Sequence, residues 1–340
     1  MRDSTSTPDA SPTAAAAPQP FPWLLLGWAL PLLAATLGGF CGDWHWGLDL
    51  MSHFRWYYLL AAAGGLAIAV VRRAGPIAHA AFAAVCALNA WTMLPYWLPA
   101  VQPAAPAATA ATAPVSVISL NVLRFNTDTT PAIAYLRRRA ADVVAVLEVS
   151  PEWGRAIESL TDIYPHRLIA PRPDSFGLAV LSRWPLGNPL VVDLGGTGYP
   201  GIVSDIERPE GMFRVMAIHP YPPGGHARSE RLVRYLEAAA TAAADAPVPC
   251  IVAGDFNATP WSAGFRAFAA GSGLRDTALG RGVQSTWNAR SPFLRIPIDH
   301  IFAPPKATVV RRTIGPDVGS DHFPVEAELL LPAPSARHSP

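Results

Sequence analysis

The chain has 340 residues, of which 51% are hydrophobic and only 15% are charged, and its formal net charge is +1. Its mean hydropathy is +0.23, whereas about a quarter of the residues of an ordinary soluble domain are charged, so the composition excludes a chain that is soluble along its whole length. Residues 1–115 hold only four of the 26 Lys and Arg residues and four of the 25 Asp and Glu residues. We therefore predict two regions that lie in different solvents.

Three apolar runs in the first region predict a membrane region over residues 21–100. A helix needs about 20 apolar residues to cross a bilayer, and the Trp and Tyr residues at the ends of the runs are typical of a membrane interface. A buried helical hairpin of a soluble domain is the alternative, and the near absence of charge argues against it. The predicted transmembrane helices are about 21–40, 54–72 and 75–99, after a disordered N-terminus at 1–20.

Two arginines predict the orientation of these helices. Arg72 and Arg73 lie between the second and third runs, whereas the loop between the first two runs carries Asp43 and Asp49. Because basic loops stay on the cytoplasmic side, everything after the third run is expected to be extracytoplasmic or periplasmic. The chain is thus predicted to be a multi-pass protein of the cell (inner) membrane, with the lipid bilayer as a partner. Residues 101–115, rich in Ala and Pro, are expected to form a linker.

Strand and helix patterns alternate from residue 116 to residue 331 and predict a single α/β catalytic domain, followed by a disordered tail at 332–340. Thr130 and Pro131 are typical of a helix start, and a second helix is predicted over Arg228–Ala244. Several strands and interspersed helices in about this length favour a mixed-sheet sandwich. The strand candidates are VSVISLNVL (115–123), DVVAVLEVS (142–150), FGLAVLSRWPL (176–186), GIVSDIERP (201–209), FRVMAIHPY (213–221), IVAGDFNATP (251–260), IDHIFAPP (298–305) and FPVEAELLL (323–331).

Polar side chains lie where these strands end or begin. Alone, each carboxylate is explained as a turn or cap residue and each histidine as an ordinary surface or core residue. Together they combine carboxylates and carboxamides, which hold a hard cation such as Mg²⁺, with histidines, which transfer protons. They are Asn121, Glu148, His219, Asp255, Asn257, Asp299, Asp321 and His322.

The order of these residues resembles the endonuclease/exonuclease/phosphatase superfamily, whose fold is deoxyribonuclease I-like. GDFNATP (254–260) and SDH (320–322) carry the resemblance, and LSRWPL (181–186) adds to it. The chain is similar to a membrane-anchored bacterial-type member. The resemblance implies a four-layer sandwich of two mixed β-sheets flanked by helices, here preceded by three transmembrane helices, with the site in the loops at one edge.

The resemblance also implies a metal site. Glu148 is expected to be the principal Mg²⁺ ligand, with Asn121 and Asp321 as further ligands, and Mn²⁺ is the alternative ion.

The remaining residues take catalytic roles by the same resemblance. Asp255 is expected to activate or orient the attacking water, and Asn257 to hold water or phosphate. His322, paired with Asp299, is expected to act as a base or, when protonated, to stabilise charge on phosphorus. His219 is expected to bind the phosphate from the other side or assist the leaving group. Whether Asp255 or His322 takes the proton of the water stays open.

The charge of the second region bears on the substrate. Residues 116–340 carry 22 cationic and 21 anionic side chains, so the basic footprint of a dedicated nuclease is missing. The expected partner is a phosphoester substrate, either nucleic acid or a lipid head group, with no obligate protein partner evident. The predicted function is a membrane-anchored, Mg²⁺-dependent phosphodiesterase or phosphatase. The alternative is a catalytically inactive, membrane-anchored binding module on the same fold.

Overall fold

The computed structural model describes residues 21–102 and 113–332. The predicted disorder at 1–20, most of the predicted tail at 332–340 and residues 103–112 of the predicted linker lie outside the described residues. The helices are α1 (Phe21–Gly38), α2 (Trp46–Ser52), α3 (Arg55–Val71), α4 (Pro76–Trp97), α5 (Thr130–Arg139), α6 (Pro151–Glu158), α7 (His226–Ala244) and α8 (Ala263–Ser272). The strands are β1 (Val115–Asn121), β2 (Val143–Leu147), β3 (His166–Ala170), β4 (Leu178–Ser182), β5 (Leu186–Asp193), β6 (Pro200–Arg208), β7 (Gly211–Ile218), β8 (Cys250–Asp255), β9 (Arg275–Asp276), β10 (Asp299–Ala303), β11 (Thr308–Ile314) and β12 (Val325–Leu330).

The strands form two six-stranded mixed sheets with the orders β11-β12-β1-β2-β4-β3 and β5-β6-β7-β8-β10-β9. Each sheet has one parallel pair at its centre, β1 with β2 and β7 with β8. The helices α5 and α7 provide the two crossovers that parallel strands require. The carboxyl ends of each parallel pair therefore reach the same edge of their sheet.

Three apolar clusters arrange the sheets and helices in four layers. One cluster lies between the two sheets and contains residues of β1, β2 and β4 together with residues of β6, β7 and β8. A second joins α5 and α6 to the first sheet, and a third joins α7 and α8 to the second sheet. Because both faces of the central strands are covered, they are continuously apolar, as in VVAVL of β2. The predicted fold, two mixed sheets flanked by helices, is confirmed.

The prediction omitted several short or peripheral elements. β5 lies at an edge of its sheet and is mostly exposed, and β9 has two residues. Such strands have little of the apolar pattern that identifies a buried strand. The short helix α2 was also omitted, because its seven residues lie between the first two apolar runs.

The expectation of three transmembrane helices is not supported. Among the described residues only α4, with 22 residues, is long and apolar enough to cross a membrane by itself. The helix α1 is shorter, and α3 reaches the required length only together with α2, from which it is bent by 61°. A multi-pass inner-membrane localisation is therefore not supported. The apolar runs were correctly located, but hydropathy does not show where a helix breaks.

The helical segment (residues 21–102) contacts the sandwich through the end at which α4 terminates. The backbone N–H groups of Gly280 and Gly282 donate to the carbonyl oxygens of Pro95 and Tyr96 at 3.0 and 2.7 Å. The indole N–H of Trp261 donates to the carbonyl of Thr92 at 3.2 Å. The start of the predicted linker is held as well, since the backbone N–H of Val309 donates to Gln102.

A glycine controls the distance between β7 and β8. Gly254 pairs with Ile218, and a Cβ added at Gly254 would lie 1.9 Å from the Ile218 carbonyl oxygen. Only glycine permits this approach. The residues that follow this pair, Asp255 and His219, are thereby brought to within 3.4 Å of each other.

We expect Gly254→Ala to destabilise the protein by about 3 kcal/mol or more, because the added methyl must push two paired backbones apart. The measurement is thermal unfolding of the detergent-purified full-length protein by circular dichroism. Gly64→Ala is the matched control, since its added methyl meets no atom within 4 Å. A melting temperature for Gly254→Ala equal to that of the control would contradict the close-approach argument.

Candidate active site

The predicted site residues come from both sheets and meet at one edge of the sandwich. Asn121 ends β1 and Glu148 follows β2 in the first sheet, while His219 follows β7 and Asp255 ends β8 in the second. A loop before β12 adds Asp321 and His322. A cavity of about 740 Å³ opens at this edge. Six of the eight predicted residues line it: Glu148, His219, Asp255, Asn257, Asp321 and His322.

Glu148 is held in an unusual backbone conformation. Its φ of 61° lies in the left-handed region, which non-glycine residues rarely adopt and which clusters at functional sites. One carboxylate oxygen accepts from the backbone N–H of Arg124 at 3.0 Å, and the other accepts from the side-chain amide of Asn121 at 3.2 Å. These two hydrogen bonds fix the direction of the carboxylate.

Asn121 orients carboxylates through its amide nitrogen. The backbone N–H of Leu123 donates to its side-chain oxygen at 3.0 Å, which identifies the other atom as the nitrogen. That nitrogen faces Glu148 and also donates to Asp255 at 3.2 Å. The role of Asn121 as a direct cation ligand stays a prediction, and in this geometry its amide group positions two carboxylates.

The donor set fits a hard divalent cation. Glu148 and Asp321 both line the cavity, and Oδ2 of Asp321 accepts from the indole N–H of Trp287 at 3.2 Å. Oδ1 of Asp321 is buried and has no hydrogen-bond partner among the described residues. A buried carboxylate oxygen without a partner is costly, and carboxylate oxygens are the ligands that Mg²⁺ prefers.

Asp255 is a buried anion surrounded by donors. Its Oδ2 lies 3.4 Å from Nε2 of His219 and 3.7 Å from Nε2 of His322, and its Oδ1 accepts from the backbone N–H of Asn257 at 2.8 Å. Burial by itself would raise the pKa of Asp255, but the two histidines and the backbone N–H outweigh it and lower the pKa to about 2. Asp255 is therefore ionised at neutral pH.

His322 lies between two buried carboxylates. Its Nδ1 is 2.8 Å from Oδ2 of Asp299, and its Nε2 faces Asp255. Burial would lower the pKa of His322, but Asp299 and Asp255 outweigh it and raise the pKa to about 10. The pKa of His219 is also raised, because Asp255 outweighs the effect of burial. The ring of His322 is therefore protonated at neutral pH.

Asp255, Asp299 and His322 also form a compact acidic and histidine cluster, with ligand-type atoms within 4.8 Å of one another. A protonated imidazole has no lone pair for a metal, and Nδ1 of His322 already contacts Asp299. We therefore interpret this cluster as a charge-paired network.

Several residues of the cavity were not predicted. Trp287, Tyr221 and Arg124 belong to loops of the sandwich, and Leu50, His53 and Phe54 belong to the helical segment. No sequence pattern connects them to the strand ends, since their positions depend on long-range packing.

The predicted residue Asn257 has a backbone φ of 49°. Its side-chain amide donates to the carbonyl of Pro220 at 2.9 Å.

Comparison with known proteins identifies the family. The sequence model of the Endonuclease/Exonuclease/phosphatase family matches residues 118–322. The chain belongs to this family. Its members are typically enzymes that hydrolyse phosphoesters. No curated protein matches the chain in sequence.

Solved structures share the fold of the family domain. An endonuclease/exonuclease/phosphatase from Beutenbergia cavernae has a TM-score of 0.54 and 25% identity, over 66% of this chain and 73% of that chain. A humanized TDP2 from D. rerio has a TM-score of 0.54 and 18% identity, over 64% of this chain and 98% of that chain. D. rerio TDP2 complexed with a single-strand DNA product has a TM-score of 0.54 and 19% identity, over 64% of this chain and 99% of that chain. The likeness to TDP2 shows the fold alone.

We expect Asp299→Asn to lower the pKa of His322 by at least about one unit, because it removes a charge that favours the imidazolium. The asparagine oxygen can still accept the hydrogen bond from Nδ1, so the change isolates the charge. The measurement is a pH titration of ¹⁵N-histidine-labelled protein by NMR in the presence of a chelator. Asp317→Asn is the control, because Asp317 is an exposed carboxylate in the loop that carries His322. It should leave the titration of His322 unchanged. An unshifted His322 in Asp299→Asn would show that the pair is not coupled.

Proposed function

We propose that this protein is a Mg²⁺-dependent phosphoester hydrolase, anchored in a membrane by its helical segment, that cleaves its substrate by attack of water on phosphorus. The supporting observation is the convergence of Glu148 and Asp321 with Asp255, His219 and His322 on one cavity. Phosphoryl transfer is catalysed mainly by positioning and charge stabilisation, and this set can supply both.

In this proposal Glu148 and Asp321 hold the cation, and Asn121 keeps Glu148 in position. Bound there, Mg²⁺ or Mn²⁺ would neutralise charge on the phosphoryl oxygens and lower the pKa of a bound water. Oδ1 of Asp321, which has no hydrogen-bond partner among the described residues and lies 4.0 Å from Nε2 of His322, and the fixed carboxylate of Glu148 support this assignment.

The remaining residues act on water and on phosphoryl oxygens. Asp255, ionised and held by Asn257, accepts a hydrogen bond from the attacking water and orients it. His322 stays protonated because Asp299 supports its positive charge, and it stabilises the negative charge that develops on the phosphoryl group. Nδ1 of His219 is buried without a partner among the described residues, so a protonated His219 would offer this N–H to a second phosphoryl oxygen.

Two observations support membrane anchoring through the helical segment. The apolar helix α4 meets the span criterion, and large apolar side chains of this segment are exposed, including Trp23, Ile77 and Trp91. The C-terminal end of α4 contacts the sandwich, and Arg72 and Arg73 precede the N-terminal end of that helix. At 1.5 Å per residue, the length of α4 separates the two arginines from the sandwich by about 33 Å. The positive-inside rule then favours an extracytoplasmic sandwich.

We expect full-length protein to hydrolyse bis(4-nitrophenyl) phosphate with Mg²⁺ and to lose this activity in EDTA. Glu148→Gln should raise the Mg²⁺ concentration needed for half-maximal activity, with partial recovery at high metal, because it removes one ligand charge. Asp299→Asn should lower turnover by about 10² or more without such recovery, the usual scale for lost electrostatic assistance. The measurement is single-turnover hydrolysis across a Mg²⁺ series.

Glu152→Gln, at an exposed carboxylate four residues after Glu148, is the control. Full activity in EDTA would refute the metal-dependent mechanism, and no turnover of any phosphoester would favour an inactive binding module.

The orientation is tested separately with fusions. A C-terminal alkaline phosphatase fusion should be active in bacterial cells, and a C-terminal green fluorescent protein fusion exported by the general secretion route should be dark, because the sandwich is placed outside the cytoplasm. The reverse pattern would refute the orientation without affecting the hydrolase assignment.

A further inference from the structure

The junction between α2 and α3 forms part of the wall of the catalytic cavity. Leu50, His53 and Phe54 line the same cavity as the catalytic carboxylates and histidines. These three residues precede the family match, which begins at residue 118. The helical segment thus contributes directly to the site.

Specific contacts dock this junction against the loop that carries Asp255. His53 contacts Thr259, which follows the catalytic strand β8 by four residues. Asp49 accepts from the backbone N–H of Ala263 at 2.7 Å. On the other side of the junction, the hydroxyl of Tyr57 donates to the carbonyl of Arg295 at 2.8 Å. Contacts on both sides fix the junction as a rigid wall.

The contact with Thr259 determines which ring nitrogen of His53 carries hydrogen. The backbone N–H of Thr259 points at Nδ1 of His53 at 3.3 Å. A backbone N–H only donates, so Nδ1 is the acceptor and the neutral ring carries its hydrogen on Nε2. His53 is 4% exposed, and its Nε2 has no partner among the described residues. The cavity wall therefore contains a buried N–H donor that no described protein group satisfies.

The same wall is apolar on either side of His53. Leu50 and Phe54 flank it, and Trp287, Ile296 and Ile298 of the sandwich line the cavity as well. The lining holds four carboxylates, Glu148, Asp174, Asp255 and Asp321, against one arginine, Arg124, and the two histidines His219 and His322. This distribution suits a single phosphoester group attached to an apolar substituent and disfavours a polyanion, which requires a basic groove.

We propose that the α2–α3 junction is a substrate-binding and specificity element: Leu50 and Phe54 contact an apolar substituent of the phosphoester, and the Nε2–H of His53 donates to a polar atom of the same substrate. The substrate class is a phosphoester that carries an alkyl or aryl group. This inference rests on the proposed hydrolase function, because the phosphoester is placed by the residues of that site.

The test measures binding, so that it does not depend on turnover. Hexyl phosphate and methyl phosphate are titrated calorimetrically into full-length protein in nanodiscs with Mg²⁺, and empty nanodiscs correct for partition of the ligand. Each buried methylene raises affinity about fourfold, so we expect hexyl phosphate to bind at least about tenfold more tightly than methyl phosphate.

Leu50→Ala and Phe54→Ala should each reduce this preference to below about threefold and leave the affinity for methyl phosphate unchanged. Met51→Ala, at an exposed residue outside the cavity lining, should keep the preference.

Two substitutions separate the two nitrogens of His53. Asn can replace the Nδ1 acceptor, and Gln can place an amide N–H near the position of Nε2. We expect His53→Asn to weaken hexyl phosphate binding about tenfold, the scale of one lost hydrogen bond, and His53→Gln to restore most of it. Unfolded variants are identified by their melting temperatures, and Leu50→Ala and Phe54→Ala then carry the test.

The outcomes distinguish this inference from the proposed function. Equal affinity for the two phosphates, absence of hexyl phosphate binding, or tighter binding of a labelled single-stranded DNA oligonucleotide would overturn the substrate class. An unchanged affinity in folded His53→Asn would overturn the role of His53. Hydrolysis of bis(4-nitrophenyl) phosphate together with any of these results would leave the hydrolase assignment intact. Selective binding of hexyl phosphate without turnover of any phosphoester would refute hydrolysis and still support the binding element.

Discussion

The carboxylate of Asp255 is only 2% exposed, and removing a charged group from water is expensive unless charged or hydrogen-bonding partners replace the lost hydration. Both histidines, the amide of Asn121 and the backbone N–H of Asn257 supply that replacement. Each partner comes from a different part of the chain. Stabilising this one anion therefore requires both sheets and three loops to be in place, and the same requirement assembles the candidate catalytic groups.

The loop that carries His322 is tied to the first strand of the sandwich by Ser320. Its hydroxyl donates to the carbonyl of Asn121 at 2.7 Å and accepts from the backbone N–H of His322 at 3.1 Å. The pairing of β1 with β12 brings these distant segments together. Because β1 also pairs with β2, which precedes Glu148, the parts of the site that carry Glu148 and His322 are attached to the same strand. Small shifts of that strand would move both parts together.

The helical segment changes how this member of the family is best understood. The family match covers residues 118–322, yet residues 50–54 border the cavity and residues 92–102 are bonded to the sandwich. A segment that served only as an anchor would need no such contacts. The interior of the segment is also polar in places, since the guanidinium of Arg55 lies over the Phe40 ring and bonds Asn89 at 3.4 Å. Such an interior favours a fixed bundle geometry, and this geometry sets the position of the cavity wall.

The sequence by itself determined the central strands, the residues at their ends and the family, because a strand buried on both faces must be continuously apolar and a catalytic strand end must expose polar groups. The pairing of Asp299 with His322 also followed from the resemblance. Only the tertiary structure decided that Asn121 turns its amide nitrogen to Glu148, that Trp287 holds Asp321 and that α2 breaks away from α3. It alone placed His53 beside Thr259, 206 residues later in the chain. Hydropathy and spacing are local properties, whereas these contacts depend on how separate elements pack in three dimensions.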